Sequence, residues 1–241
     1  TTRICVVGDS VAFGWGVGQQ EMFSEVLERA LQRRRKVEVL NFGVPAYNMT
    51  QIAVVVRQRV LDFDPDLVLV AHSLNDVGEP WYPFKTDSLL ALRAEHWLSR
   101  YSALGMWVRL QLGSMPGRTG RPNFHQWYNN RLIPSWRDYI RALGDIAAST
   151  RARKVPVLVV LLPVWLGLDG RYQHLSEHRQ VKEEVTRAGL PFWDLLPEFQ
   201  GPGGRRYNKT FDFIHPHRQG HARIGYNRRC CWADGTHSMH G

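Results

Sequence analysis

The segment Arg3-Ile4-Cys5-Val6-Val7-Gly8-Asp9-Ser10 decides the architecture of this chain. Ile4 to Val7 are all apolar, with no alternation, and Gly8 ends the run. Such a run reads as a strand buried on both faces, the kind found inside a parallel sheet. A parallel neighbour needs a crossover connection, usually a helix. Working outward, the sequence supplies this pattern repeatedly. Phe23, Val26, Leu27, Ala30 and Leu31 recur at helical spacing, and Val37 to Phe42 is a second strand. Ile52, Val55, Val56 and Val60 predict a second helix, stopped before Pro65, and Leu67 to Ala71 a third strand. After a less regular stretch from about Glu79 to Leu132, Ile133, Trp136, Ile140, Leu143 and Ala147 predict a third amphipathic helix. Val157 to Leu162 then reads as a strand, Leu175, His178, Val181 and Val185 as a helix, Phe192 to Leu196 as a fifth strand, and His217 to Ile224 as the start of a last helix. The expected fold is therefore α/β, a three-layer sandwich with a five-stranded parallel sheet covered on both faces. In such sheets, binding and catalysis gather at the carboxyl ends of the strands.

Bulk properties narrow the choices. At 241 residues the chain fits one domain, here expected over residues 1–225, with an irregular tail over 226–241. No apolar run approaches the ~20 residues of a membrane-spanning helix; the longest, Val155 to Leu168, contains Pro156 and Pro163 and reads as a buried strand. The net charge of +9 invites a nucleic-acid reading, but apart from Arg33 to Lys36 and Arg205-Arg206 the basic residues are scattered. The first cluster falls where a helix should end and complements the helix dipole there, so a solvated basic surface is the better reading. Three cysteines make no disulfide framework; Cys5 reads as a small buried hydrophobe, and Cys230 and Cys231 are adjacent. The chain opens at Thr1, directly on a strand, which suggests that an upstream signal or anchor segment has been removed. The compartment stays open between cytoplasm and cell envelope.

Four segments carry candidate chemistry. Gly8-Asp9-Ser10 follows the first strand and lifts a serine hydroxyl to the top of the sheet, although serine also caps helices. Asn41-Phe42-Gly43-Val44-Pro45 follows the second; a glycine there leaves a backbone N–H free for an oxyanion, or is an ordinary turn. Ser73-Leu74-Asn75-Asp76 follows the third, where an asparagine amide can meet a developing oxyanion or simply bond its own turn. Loss of one oxyanion donor typically costs ~2.7–4 kcal/mol. Asp212-Phe213-Ile214-His215-Pro216 follows the fifth; a spacing of three lets the aspartate orient the imidazole, though in a chain of ten histidines such a match is weak alone. Together, in order and at strand ends, the four supply nucleophile, oxyanion donors, base and orienter, the set that acyl transfer requires.

On these residues the chain resembles the SGNH (GDSL-like) hydrolase family over roughly Ile4 to Gly225. The family's serine, glycine, asparagine and histidine blocks match Ser10, Gly43, Asn75 and His215, and its triad aspartate matches Asp212. The resemblance implies a flavodoxin-like fold and hydrolysis of carboxylic esters through an acyl-serine, with Ser10, Asp212 and His215 catalytic. It places Ser10, Gly43 and Asn75 in the oxyanion hole and calls for no cofactor and no metal. Glycan, lipid and thioester substrates lie within range, as does O-acyl transfer to a sugar by the same triad, so the partner is a small-molecule, glycan or lipid ester. Val11 stands where the family has leucine and Ser73 where it usually has glycine. The stretch 79–132, rich in tryptophan and tyrosine, is a family-variable insertion and a candidate lid.

Other readings of the same residues are weaker. His215, His217, His221, Cys230, Cys231, His237 and His240 crowd the end of the chain, but without zinc-site spacing. Gly14-Trp15-Gly16-Val17-Gly18 fits no phosphate-binding fingerprint and reads as a flexible loop. A catalytically silent, flavodoxin-like binding module would share the fold but has no need of Asn75, Asp212 and His215. An α/β-hydrolase normally carries its nucleophile after a mid-sheet strand, not the first.

Overall fold

The computed structural model describes residues 1–78, 134–170, 172–207 and 215–226. The chain divides into Thr1–Pro80 with Arg131–Gly241 and, separately, Trp81–Asn130. The second unit lies outside the described residues. So do the whole of the expected lid, 79–132, and the tail beyond Tyr226.

Five strands form one sheet: β1 (Thr2–Gly8), β2 (Val37–Gly43), β3 (Leu67–His72), β4 (Val157–Leu161) and β5 (Phe192–Asp194). All pairings are parallel and the spatial order is β2-β1-β3-β4-β5. The helices are α1 (Ser10–Phe13), α2 (Phe23–Gln32), α3 (Met49–Gln58), α4 (Pro134–Ala152), α5 (Leu175–Arg187), α6 (Leu196–Phe199) and α7 (Arg218–Gly225). They make the outer layers of a three-layer sandwich, with α2 packed on α7 and α3 on α4.

Strand order locates the site before any side chain is considered. From β1 the chain moves outward to the edge strand β2, then returns across β1 to β3. Connections leave β1 and β3 in opposite directions, so their carboxyl ends open a crevice at the topological switch point. Ser10 follows β1 directly, and Asn75 lies just beyond β3.

Burial explains the strand sequences. Ile4, Val6, Leu69 and Val160 join Val11, Phe23, Leu27, Leu162, Trp165 and Phe199 in one core cluster. Trp165, Phe199 and Tyr207 meet edge to face at centroid separations of 4.9 and 5.0 Å, the favoured aromatic geometry. Cys5 is fully buried in β1, and burial pushes its thiol up to about 11, so it behaves as the apolar filler its context suggested.

Two of the boundaries that differ from the sequence expectation have a local cause. β5 stops at Asp194 instead of Leu196, because Asp194 Oδ1 accepts from the Leu196 N–H at 2.9 Å and turns the chain into α6. α3 ends at Gln58, and Val60 begins a separate 3-10 turn over Val60–Phe63.

Candidate active site

The position of Ser10 is built by close backbone contact. Gly8 of β1 pairs in register with Gly43 of β2 and with Ala71 of β3. A Cβ on Gly8 would lie 2.5 Å from the Ala71 carbonyl oxygen, and one on Gly43 would lie 2.3 Å from the Phe13 nitrogen. Either would also press on Ala12 Cβ, at 2.8 and 2.9 Å. The two paired glycines are thus the seat of α1.

Ser10 is the first residue of that helix, and the helix is capped by Asp9, whose Oδ1 accepts from the Val11 N–H at 2.9 Å. The serine hydroxyl has no capping duty. It sits 2.7 Å from His215 Nε2 across 205 residues of sequence. When Ser10 Oγ donates in this pair, Nε2 is unprotonated and the imidazole proton is on Nδ1. His215 stands two residues before His217, which caps α7 by accepting from the Gln219 N–H at 3.0 Å.

Asp9 does more than cap. It is fully buried, and besides Val11 it accepts from Ser73 Oγ at 3.3 Å and, through Oδ2, from Asn75 Nδ2 at 3.0 Å. Burial pushes its pKa up, and the hydrogen bonds from Asn75, Val11 and Ser73 oppose that rise. A carboxamide nitrogen has two protons, so Asn75 is aimed by one and keeps the other. Ser73, where the family usually has glycine, serves as an additional donor to the same carboxylate.

The turn that carries Asn75 is fixed from below by a buried hydrogen-bonded network. His72 Nδ1 donates to the Ser73 carbonyl at 2.6 Å, while its Nε2 accepts from Tyr139 Oη of α4 at 2.8 Å. Asp76 Oδ2 accepts from the Ser73 N–H at 2.9 Å. Burial pushes His72 down to about 3, so its imidazole is uncharged at neutral pH, and raises Asp76 and Tyr139 well above their usual ranges.

One sequence expectation requires correction. The Gly43 N–H is not uncovered: it donates to Asn41 Oδ1 at 2.8 Å. The Asn41 amide is in turn held by the Ala12 carbonyl at 2.8 Å and Ser24 Oγ at 3.0 Å. Further along the same loop, the Val44 N–H bonds the Gly8 carbonyl at 3.0 Å and the Tyr47 N–H bonds the Val44 carbonyl at 3.2 Å. Pro45 has no N–H. Among the described residues, the loop donor left without an acceptor is Ala46, which holds a left-handed φ of 66°.

The remaining sequence candidates divide clearly. Asp212 lies outside the described residues, as do Cys230, Cys231, His237 and His240. His221 is buried, accepts from the Phe23 N–H at 3.3 Å and stacks on the Phe23 ring at 6.1 Å. The Gly14–Gly18 segment, expected to be a flexible loop, is a run of hydrogen-bonded turns. Sequence reasoning missed Asp9, Asn41 and Ala46. The one available signal was Asp9 itself, a charged residue directly after an uninterrupted apolar strand.

Comparison with known proteins bears on the fold and the family. The fold matches TesA at 16% identity (TM-score 0.57, covering 96% of this chain and 97% of that one). It also matches the psychrotrophic esterase EstA from Pseudoalteromonas sp. at 13% identity (TM-score 0.54, covering 97% and 96%). A third match is a catalytic mutant of the acetylxylan esterase Axe2 from Geobacillus stearothermophilus at 14% identity (TM-score 0.55, covering 96% and 93%). No curated protein matches the chain in sequence. The model of the GDSL-like lipase/acylhydrolase family, a family of ester hydrolases, matches residues 6–223, and with so much of its length covered the chain belongs to that family.

Proposed function

We propose that this chain hydrolyses carboxylic esters through an acyl intermediate on Ser10. The observation that carries the reading is the 2.7 Å approach of Ser10 Oγ to His215 Nε2 at the sheet's switch point. A serine hydroxyl is a weak nucleophile until a base removes its proton. His215 is that base, and Asp212, three residues upstream, is assigned the role of orienting it through Nδ1.

In the first step Ser10 Oγ bonds to the ester carbonyl carbon as its proton passes to His215 Nε2. The carbonyl π electrons move onto oxygen, where three donors receive them. These are the Ser10 N–H, which as a helix's first N–H has no intrahelical acceptor, the second Nδ2 proton of Asn75, and the Ala46 N–H. In this assignment Gly43 contributes through its missing side chain, while Ala46 supplies the loop donor. The C–O bond to the alcohol then breaks, and the alkoxide takes the proton from His215. Water repeats the sequence on the acyl-serine, releasing the acid and restoring Ser10.

Family membership implies an ester substrate and leaves its kind open. Glycan O-acyl esters are one class within range, and an acetylxylan esterase shares the fold. The test uses a fluorophosphonate probe and short-chain esters on the wild type and Ser10→Ala. Labelling and hydrolysis that both vanish in the variant support the acyl-serine. A folded wild type that neither labels nor hydrolyses overturns it in favour of a silent binding module.

A further inference from the structure

We infer that Trp15 is the platform for the alcohol half of the ester, and that this half carries a sugar ring; the inference rests on the ester-hydrolase reading above. Trp15 is a large apolar side chain that stands 51% exposed. Its ring centroid lies 6.3 Å from that of His215, with the planes tilted by 36°. During the reaction His215 hands its proton to the departing alcohol, so a group beside this imidazole stands on the alcohol side of the scissile bond.

Trp15 is also fixed relative to the nucleophile. α1 ends in a Schellman motif: Gly14 takes a left-handed φ of 85°, its N–H donates to the Val11 carbonyl at 3.1 Å, and the Trp15 N–H donates to the Ser10 carbonyl at 3.0 Å. The turn is packed as well, since a Cβ on Gly14 would lie 2.5 Å from Met22 Cγ. The backbone that presents the indole is therefore tied to the residue that attacks the ester. A rigid, half-exposed aromatic ring pays little ordering entropy when it binds.

The shape of the feature selects the ligand class. An acyl chain needs a concave apolar pocket to leave water. Gly14 and Gly16 flank Trp15 in the chain, so neither sequence neighbour adds a side chain beside the indole. A flat indole suits a ring whose C–H face can stack while its hydroxyls stay solvated. The geometry thus points to an O-acylated saccharide, with the acyl group toward the oxyanion donors and the sugar over Trp15.

The test compares two acetate esters that differ only in the alcohol, an O-acetylated xylo-oligosaccharide and ethyl acetate. Trp15→Ala should lower kcat/KM on the sugar ester at least about fivefold, chiefly through KM, as expected for losing one stacking contact. Ethyl acetate should change by less than about twofold, and Trp15→Phe should recover most of the sugar-ester rate. An equal fall on both esters would show that Trp15 only supports α1 and would overturn the inference, as would an unchanged sugar-ester rate. A wild type that labels with fluorophosphonate and cleaves ethyl acetate but not the sugar ester overturns this inference alone. A wild type that neither labels nor cleaves either ester removes the ester-hydrolase reading first.

Discussion

Asn75 Nδ2 donates to Asp9 Oδ2 at 3.0 Å, so the residue preceding Ser10 aims the amide proposed to face the oxyanion. Asp9 thereby joins the end of β1 to the end of β3 through a buried carboxylate. Asp9→Asn is nearly isosteric but replaces one acceptor oxygen with a donor. It should reduce kcat about 10- to 100-fold with little change in KM. Since Asp9 acts partly through Asn75, Asp9→Asn should cost much less in an Asn75→Ala background. Fully additive losses in that double-mutant cycle would show that Asp9 does not work through the amide.

Gly43 and Ala46 should respond in opposite ways to a change in side-chain size. Gly43→Ala forces a methyl to within 2.3 Å of the Phe13 nitrogen, and overpacking of this kind costs roughly 1–3 kcal/mol or more. Ala46→Gly keeps the N–H and relieves a left-handed alanine, at φ 66°, a conformation that disfavours a Cβ by roughly 1–2 kcal/mol. Thermal unfolding should place Gly43→Ala several degrees below wild type and Ala46→Gly at or above it, with activity retained. A Gly43→Ala protein as stable as wild type would remove the packing argument.

His72 should make the protein acid-sensitive. Its folded pKa of about 3 lies below the ~6.5 of an unfolded histidine. Between those values the unfolded chain binds the extra proton, so stability falls as pH drops. Near pH 4.5 the loss from this group is roughly 2–3 kcal/mol. The raised Asp76 acts in the opposite sense, because its folded form keeps a proton that the unfolded form releases as pH rises. Urea unfolding near pH 7 and pH 4.5 should show a smaller acid loss for His72→Gln than for wild type. An equal loss in both proteins would clear His72 of the effect.

Tyr172 anchors the loop after β4. Its hydroxyl accepts from the Val164 N–H at 3.0 Å and donates to His178 Nε2 at 2.7 Å, while His178 Nδ1 donates to Asp194 Oδ2 at 2.9 Å. Tyr172→Phe keeps the ring and leaves both buried partners unpaired, a change worth roughly 1–3 kcal/mol. A denaturation midpoint unchanged by the substitution would mean that solvent replaces the hydroxyl.

Much of this molecule was legible in the sequence because its signals are local. Strands such as Ile4 to Val7 are apolar on both faces, and Phe23, Val26, Leu27 and Leu31 mark one buried side of a helix. Ser10, Asn75 and His215 stood out by their place at strand ends or beside a helix start. Other features are relations between distant segments and leave no local trace. Nothing near Gly43 announces that the Asn41 amide will turn back to its N–H, or that α1 will press on Gly8 and Gly43 together. Ala46 hid because alanine is an ordinary residue, and only its backbone dihedral sets it apart. Asp9 was visible as part of a motif, yet its reach to Ser73 and Asn75 depends on β1 and β3 being neighbours.

The 205-residue separation of Ser10 from His215 has a consequence during biosynthesis. Ser10 leaves the ribosome 205 residues before His215, which lies just ahead of α7, the helix that docks on α2. On the proposed mechanism, a nascent chain that has not yet released His215 holds an unactivated serine, however well its sheet has formed. Products terminated before His215 lack the proposed base, so the proposed activity must wait until that segment has been made.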